Sequence, residues 1–411
     1  MRFMISTKGA DVTAWRASDN FATTYRQSLL EWAASDRNGS AENIFSGSLA
    51  ALAQSAEAHR SFHKQLDSWC AEGASAPPAE RLKELTIEYY DALYRHMDMF
   101  HSAPAFYQKS MDFVKILSAG IMAHATEQLG PSARNLPKMA LVALGPAGRC
   151  EYSPFCQLQA LLVYNEVTAS QRQTIGRFCD ILHTEFEAIG LTIDPVITPR
   201  NPEWRGSIAE WRHRCAEGLS TATKDSLIAV LRLADQYYLA SDERIARELK
   251  EATITSLRNS RTALANLVGR MDSLSNGLGI MGRLKLERHG AERGLFRLLD
   301  HGLLPLSAAL SALALIKMSD ATSSCDRILD LLERRELDVD LAEKLLTTWY
   351  SLHELRLHHE QLFSFTDRGN HPLLLNPGEL TIEERHSLKT VLAAVSAIQQ
   401  HIAIIFSGTE E

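Results

Sequence analysis

The chain has 411 residues, of which 45% are hydrophobic and 23% charged, and its formal net charge is −7. This composition is typical of a globular protein long enough for two or three domains, and it excludes a disordered or fibrous chain. The negative charge gives no electrostatic reason to expect a nucleic acid or a membrane surface as a partner, so we expect neither.

The cysteines and the apolar segments indicate a reducing compartment. The six cysteines form no CxxC pair, and no Cys/His spacing is typical of a zinc site. The first residues contain no apolar run typical of a signal peptide. The longest apolar stretch, residues 303–318, includes Pro305 and Lys317 and falls short of a membrane span. We therefore expect a cytoplasmic protein.

The first part of the chain is predicted to be helical. Apolar residues recur at helical spacing over 22–71, and further helices are predicted at about 79–101 and 104–128. Residues 73–78 contain two prolines and small side chains, which end a helix and form a linker. We assign an N-terminal helical region to residues 1–76.

The pattern changes near residue 137. Three short apolar runs are bounded by turn residues, as buried strands are: Met139–Leu144, 158–164 and 191–198. A helical stretch at 169–188 separates the second run from the third. This order predicts a small mixed sheet with its core at about 137–200, inside a domain that spans 79–220.

Helical periodicity returns after Pro202 and dominates the remaining chain. Ser207 is a suitable N-cap, and Thr381 with Glu384 forms a capping box. Five longer helices are predicted here: about 241–271, 304–318, 323–335, 339–364 and 381–406. The expected fold class is therefore α+β and mostly helical, with a C-terminal helical bundle at 221–411.

The segment between the first two predicted strands carries the chemistry. Gly145 and Gly148 form a tight turn, in which the missing Cβ atoms let backbone amides approach a phosphate. Gln157 and Gln159 are two residues apart on a strand, so they point to the same face. Two carboxylates in such positions can hold a pair of magnesium ions for nucleotidyl transfer.

Gly145, Gly148, Arg149 and Glu151 stand in register with a known motif. It reads Gly-Ser-x-Gly-Arg-x-Glu, followed by Thr/Ser-Asp-x-Asp, and it belongs to the nucleotidyltransferases related to the PII-protein uridylyltransferase. Other parts of the chain also resemble this family: residues 201–205, 210–211, 355–357 and 376–380. The resemblance covers roughly residues 90–406. It implies a nucleotidyltransferase-like domain followed by a helical, substrate-binding-like domain.

The chain departs from the motif at its catalytic groups. Pro146 replaces the motif's serine and offers a phosphate neither a hydroxyl nor an amide. Gln157 and Gln159 replace both aspartates, and a neutral amide is a weak ligand for magnesium. The family's Asp-Leu-Lys segment is Arg-Leu-Leu at 297–299. The resemblance thus implies a degenerate member with no catalytic residue, no bound metal and no cofactor.

The leading hypothesis is a regulatory module that binds a protein partner, in a signalling context. Gly145, Gly148, Arg149 and Glu151 would be the remnant of a nucleotide site. Equally, the glycines form only a structural turn, and Arg149 and Glu151 an internal ion pair. Whether a nucleotide binds and whether the chain forms a homo-oligomer stay open.

Two other functions stay open at this stage. The first is an active nucleotidyltransferase with a rebuilt magnesium site that uses Glu151 or Asp194. The second is a metal-independent ribonuclease of the HEPN class, acting through Arg356 and His358. Alternatively, Arg356 and His358 belong to the polar surface of one predicted helix. The same helix also carries His353, His359 and Glu360.

Overall fold

The computed structural model describes residues 40–100, 102–221, 224–260, 277–363 and 373–407. The parts of the predicted helices that fall before residue 40 and within 261–271 lie outside these residues. The fold is α+β and mostly helical, with one small mixed sheet, as the sequence predicts.

Three long helices open the described chain: α1 (Ser40–Ala74), α2 (Ala79–Phe100) and α3 (Ala103–Gln128). The linker predicted at 73–78 is confirmed, because α1 ends at Ala74 and α2 begins at Ala79. The hydroxyl of Ser102 caps α3 by accepting a hydrogen bond from the amide of Ala105. Of these helices, α3 contacts an edge strand of the sheet, and α1 and α2 pack against α3.

The sheet has four strands: β1 (Met139–Leu144), β2 (Gln159–Tyr164), β3 (Arg205–Ser207) and β4 (Gln236–Ser241). Their spatial order is β3-β2-β1-β4. Strand β1 is antiparallel to both β2 and β4, whereas β2 and β3 are parallel. The helices between the strands are α4 (Gly145–Gly148), α5 (Ala169–Ala188), α6 (Ile208–Thr221), α7 (Lys224–Ala234) and, after β4, α8 (Glu243–Asn259).

Both faces of the sheet are covered, which explains why β1 is apolar at every position. Leu141 and Ala143 belong to the main core, while Val142 and Leu144 face a second, smaller cluster that contains Trp211. All six residues of β1 are buried. Strands buried on both sides lose the alternation of polar and apolar residues.

The third predicted strand, at 191–198, is wrong. Only Ile193 forms an isolated bridge, to Leu158, and the chain then turns. The Oδ1 atom of Asp194 accepts hydrogen bonds from the amides of Val196 and Ile197, both at 2.9 Å, and Pro195 has no amide to donate to a ladder.

The sequence also missed the two edge strands, β3 and β4. They lie in the part assigned to helices, beyond the predicted sheet core at 137–200. The N-cap at Ser207 is confirmed: its hydroxyl accepts from the amide of Glu210, and the Glu210 carboxylate accepts from the amide of Ser207.

The C-terminal part is the predicted helical bundle: α9 (Leu304–Ile316), α10 (Ser324–Glu333), α11 (Val339–Gln361) and α12 (Ile382–Ser407). A π-helical turn (Leu299–Leu303) precedes α9, and two short strands, β5 (Phe296–Arg297) and β6 (Leu374–Leu375), pair beside it. The capping box of Thr381 and Glu384 is confirmed.

One helical segment is long and apolar enough to cross a membrane by composition alone. It is Leu299–Ile316, and 72% of it is buried inside the protein. All side chains from Pro305 to Leu315 are buried among the surrounding helices. Within the described residues, this segment is therefore the central helix of the C-terminal bundle.

Candidate functional site

The glycine turn after β1 is closed on itself. Gly145 has a φ of +58°, a conformation that favours glycine. The amides of Arg149, Cys150 and Glu151 donate to carbonyl groups within the turn, at 3.0, 3.1 and 2.7 Å. These three amides are thus occupied by the chain itself and are not presented to a phosphate.

Gly148 is required by a close approach of two chain segments. A Cβ atom at this position would collide with the backbone carbonyl of Asp235, just before β4, and would lie 3.1 Å from the carbonyl oxygen of Ala143. The glycine therefore lets the turn pack directly against the start of β4.

Arg149 and Glu151 form a buried ion pair. The Nε atom of Arg149 lies 3.0 Å from Oε2 of Glu151, and its Nη1 atom lies 2.8 Å from Oδ2 of Asp235. The side chain of Arg149 is 11% exposed and that of Glu151 is 3% exposed. The structure thus brings the two predicted residues together, inside the protein.

Glu151 is held by donors from the C-terminal bundle. Its Oε1 atom accepts hydrogen bonds from the Ser324 hydroxyl and from Nε1 of Trp349, the latter at 2.9 Å. Burial alone would raise the pKa of Glu151, but Arg149 and these donors outweigh it and hold the pKa at about 2. Glu151 is therefore a buried carboxylate anion that joins the turn to α10 and α11.

Asp235 is a central residue that the sequence analysis missed. It lies between two arginines: Arg149 at 2.8 Å and Arg327 of α10 at 2.7 Å. The hydroxyl of Ser311, on α9, also donates to it at 2.9 Å. Nothing in the local sequence marks Asp235, because its role depends on β4 placing it beside the turn.

A second buried ion pair lies on α11. The Nε atom of Arg356 is 2.8 Å from Oε1 of Glu360, and its Nη2 atom donates to the Ser153 hydroxyl at 2.6 Å. Nη1 donates to the backbone carbonyl of Glu151, and the hydroxyl of Tyr94 donates to Oε2 of Glu360 at 2.9 Å. Arg356 and Glu360 are fully buried.

This geometry bears on both interpretations of the α11 cluster. The structure does not bring together Arg356 and His358, the pair that the ribonuclease hypothesis requires, because Arg356 is buried in an ion pair while His358 is exposed to solvent. A polar surface is wrong for His353, Arg356 and Glu360, since His353 is buried against Trp349 and bonded to the hydroxyl of Tyr107.

Of the two glutamines predicted to replace the motif's aspartates, Gln159 begins β2, whereas Gln157 precedes that strand. Gln157 is exposed and Gln159 half-buried, with the buried Leu158 between them on the opposite side of the chain. The Nε2 atom of Gln159 donates a hydrogen bond to Oδ2 of Asp194 at 2.9 Å. A neutral amide group therefore faces the remaining carboxylate, where a motif aspartate would share a cation with it.

Arg232, at the end of α7, adds a positive charge near this carboxylate. Its burial lowers the pKa of the guanidinium, while Asp194 and Asp235 raise it and Arg149 opposes them. Its Nε atom lies 4.0 Å from the position of a Cβ on Gly145. The sequence analysis missed this residue, which α7 brings to the site from outside the motif.

Glu151 and Asp194, either of which could serve a rebuilt magnesium site according to the sequence, have different partners. Glu151 bonds Arg149, Ser324 and Trp349, whereas Asp194 bonds Gln159 and the amides of its own turn. The two carboxylates belong to separate networks, and each is already satisfied by hydrogen-bond donors.

Two family models match the chain. The one described as Putative nucleotidyltransferase DUF294 matches residues 60–225, and the one described as Putative nucleotidyltransferase substrate binding domain matches residues 261–406. Together they cover most of the chain. The protein belongs to this nucleotidyltransferase family. No curated protein matches it.

The buried polar network joins the two matched segments of this nucleotidyltransferase family member. Glu151 and Ser153 come from the nucleotidyltransferase segment, and their partners on α10 and α11 come from the substrate-binding segment: Ser324, Trp349, Arg356 and Glu360. Arg149 is joined to the same segment through Asp235, which lies between the two matched ranges and bonds Ser311 and Arg327. The Gly-Arg-x-Glu part of the motif thus serves as an internal joint between the segments.

Replacing Gly148 by alanine should lower the free energy of unfolding by about 1–3 kcal/mol, since the new Cβ meets a backbone carbonyl that cannot rotate away. The matched control is Gly176→Ala in α5, where the nearest atom is 3.6 Å from the Cβ position. There, alanine should stabilise the helix by about 0.5–1 kcal/mol. Urea denaturation measures both, and equal effects would contradict the close approach.

Acid should destabilise the protein below about pH 6.5, in part through His353. Burial is the largest of the effects that lower its pKa from 6.5 to about 3; Arg356 and Arg149 act in the same direction, and Glu151 acts in the opposite one. Because the native pKa lies below the unfolded one, the unfolded chain takes up the proton first. This group's contribution is complete above pH 6.5 and is lost as the pH falls toward 3.

The test is the slope of unfolding free energy against pH between 6.5 and 4.5. His353→Gln should reduce that slope by up to about 1.4 kcal/mol per pH unit. Below about pH 4.5, protonation of Glu151 in the unfolded chain adds a further loss in both proteins. The control is His213→Gln, since that histidine is 75% exposed. Identical slopes in wild type and His353→Gln would show that this histidine is not buried in its neutral form.

Proposed function

We propose that this protein is a catalytically degenerate nucleotidyltransferase-family member that acts as a regulatory module and binds a protein partner. One observation carries the proposal: the amide of Gln159 donates a hydrogen bond to Asp194 at 2.9 Å. Magnesium prefers charged oxygen ligands. Here the amide group of Gln159, a hydrogen-bond donor, faces the carboxylate of Asp194.

The rest of the motif supports the same proposal. Three amides of the glycine turn bond to carbonyl groups of the turn, and Pro146 supplies neither an amide nor a hydroxyl. Arg149 and Glu151 neutralise each other inside the protein. The residues that would bind a triphosphate therefore stabilise the fold. What remains at the site is one carboxylate, two glutamines and the cationic Arg232.

The regulatory part of the proposal follows from the family context. Related uridylyltransferases modify a nitrogen-sensing protein, so a member without catalysis would act by binding, in the cytoplasm. The joint between the segments supports such a role, because a partner that binds one segment acts on the other through Arg149, Glu151 and Arg356. Retention of a nucleotide beside Arg232 is compatible with this role and does not require transfer.

The test is an assay for nucleotide transfer with purified protein, radiolabelled nucleoside triphosphates, and magnesium or manganese. We expect no label on protein, RNA or small acceptors above the level of a heat-inactivated sample. Label on any acceptor that disappears in Asp194→Asn would overturn the proposal, because it would show that the remaining carboxylate supports catalysis. Nucleotide binding without transfer, measured by equilibrium dialysis, would support a retained nucleotide site.

A further inference from the structure

Three histidines converge near the N-terminal end of the described chain, away from the site above. His59 and His63 lie four residues apart on α1, so they share one face of the helix, and His96 lies opposite on α2. Each histidine offers one ring nitrogen as a ligand, and these three nitrogens lie within 4.8 Å of one another. The Nε2 atoms of His59 and His63 are 3.0 Å apart.

The ring of His96 has a defined position. Phe62 stacks on it with a centroid distance of 3.6 Å and an interplanar angle of 6°, and His59 stacks at 5.2 Å. His96 is half-buried between the two helices, whereas His59 is exposed. The cluster is therefore held from inside by an aromatic contact and is open to solvent on the other side.

The cluster lies where α1 leaves the body of the protein. Near the linker, Arg81 of α2 pairs with Glu72 of α1 at 2.7 Å, and Leu66 of α1 is buried in the main core. From residue 50 to residue 61, the side chains of α1 are mostly exposed. The histidines thus stand at the end of the packed part of the α1–α2 hairpin.

We propose that His59, His63 and His96 bind a transition-metal dication of the zinc class, which fastens α1 to α2. Imidazole nitrogens suit zinc, copper and nickel, and a tetrahedral zinc ion with bonds of about 2.0–2.1 Å requires its ligand nitrogens to lie about 3.3 Å apart. The observed separations need only small side-chain rotations to reach this value. Water takes the fourth position on the exposed side.

Burial and neighbouring charges favour the neutral form of His63 and His96 before metal binds. Burial, together with His59 and His63, lowers the pKa of His96 to about 4. Burial also lowers the pKa of His63, with His59 and Lys109 acting in the same direction and Asp67 in the opposite one. Neutral imidazoles coordinate metals without first releasing a proton, so zinc should bind well at neutral pH.

The test is zinc titration of untagged, metal-free protein by isothermal calorimetry. We expect one equivalent of zinc and no response to magnesium. Each of His59→Gln, His63→Gln and His96→Gln should raise Kd at least tenfold, whereas His213→Gln, an exposed histidine on α6, should not change it. Equal zinc binding in wild type and all three variants, or none in wild type, would overturn the proposal.

Cobalt substitution separates this site from the free cysteines. Cobalt bound by three imidazoles and water gives weak visible bands without thiolate charge-transfer absorption, so strong near-ultraviolet thiolate bands in wild type would also overturn the proposal. If circular dichroism shows that one variant does not fold, the wild-type cobalt spectrum and the other two variants still test whether the histidines bind the metal. Zinc should further slow proteolysis of α1 in wild type and not in His96→Gln.

Discussion

Replacing Arg356 by methionine should lower the free energy of unfolding by about 3–5 kcal/mol. The substitution leaves the Glu360 carboxylate in a fully buried place with only the hydroxyls of Ser153 and Tyr94 to compensate its charge. It also removes the hydrogen bond to the backbone carbonyl of Glu151. Guanidinium denaturation measures the loss. The size of the effect reflects an uncompensated buried charge, rather than the net value of the ion pair.

Two controls give this prediction a reference. Arg247→Met removes an exposed pair with Glu243, in which both side chains are more than 60% exposed, and should cost less than about 0.5 kcal/mol. Adding Glu360→Leu to Arg356→Met removes the uncompensated charge and should recover part of the loss. If Arg356→Met and Arg247→Met cost the same, Arg356 does not support the joint between the two family segments.

Restoring both motif aspartates, with Gln157→Asp and Gln159→Asp, should make the stability depend on metal ions. Without metal, the double variant replaces the Gln159 donor by a carboxylate that faces Asp194. The repulsion should raise at least one carboxyl pKa and lower the melting temperature. Magnesium or manganese relieves the repulsion and should raise the melting temperature of the variant more than that of wild type.

The triple variant that also carries Asp194→Asn is the matched control. It keeps the new aspartates but removes the third carboxylate, so its response to metal should be smaller than that of the double variant. Nucleotide transfer should stay absent in all of them, because Pro146 offers a phosphate neither an amide nor a hydroxyl and three amides of the glycine turn are already bonded within it. If metal leaves the melting temperature of the double variant unchanged, residues 157 and 159 do not face a common site with Asp194.

The sequence indicated two groups of charged residues, the pair Arg149 and Glu151 and the cluster around Arg356. It did not indicate that both groups stabilise the joint between the two segments. Arg149 and Glu151 match a phosphate-site motif, and Arg356 with its neighbouring histidines has the composition of an active site. A cluster of charged residues in a motif or on one helix has two common explanations: catalysis or a buried ion pair. Only the packing of α11 against the turn shows that each group is neutralised within the protein.

The sequence by itself determined the family, the fold class and most helix bounds. Helical periodicity, the linker at 73–78 and the capping residues act through neighbouring positions, so a local pattern contains the information. It also predicts the loss of the motif carboxylates, since Gln157 and Gln159 stand in the register that the motif gives to aspartates. Strand β1 was recognisable because burial on both faces makes all its residues apolar.

The tertiary structure decided everything that depends on contacts between distant residues. Edge strand β3 has no apolar run of its own, and β4 has only the short run at 237–240; both form because β2 and β1 offer unpaired backbone groups. The chain turns at Asp194 instead of continuing as a strand, because the Asp194 side chain accepts hydrogen bonds from the amides of Val196 and Ile197. Asp235 and Arg232 joined the site, and His96 joined His59 and His63, because chain packing sets long-range distances that local spacing does not encode.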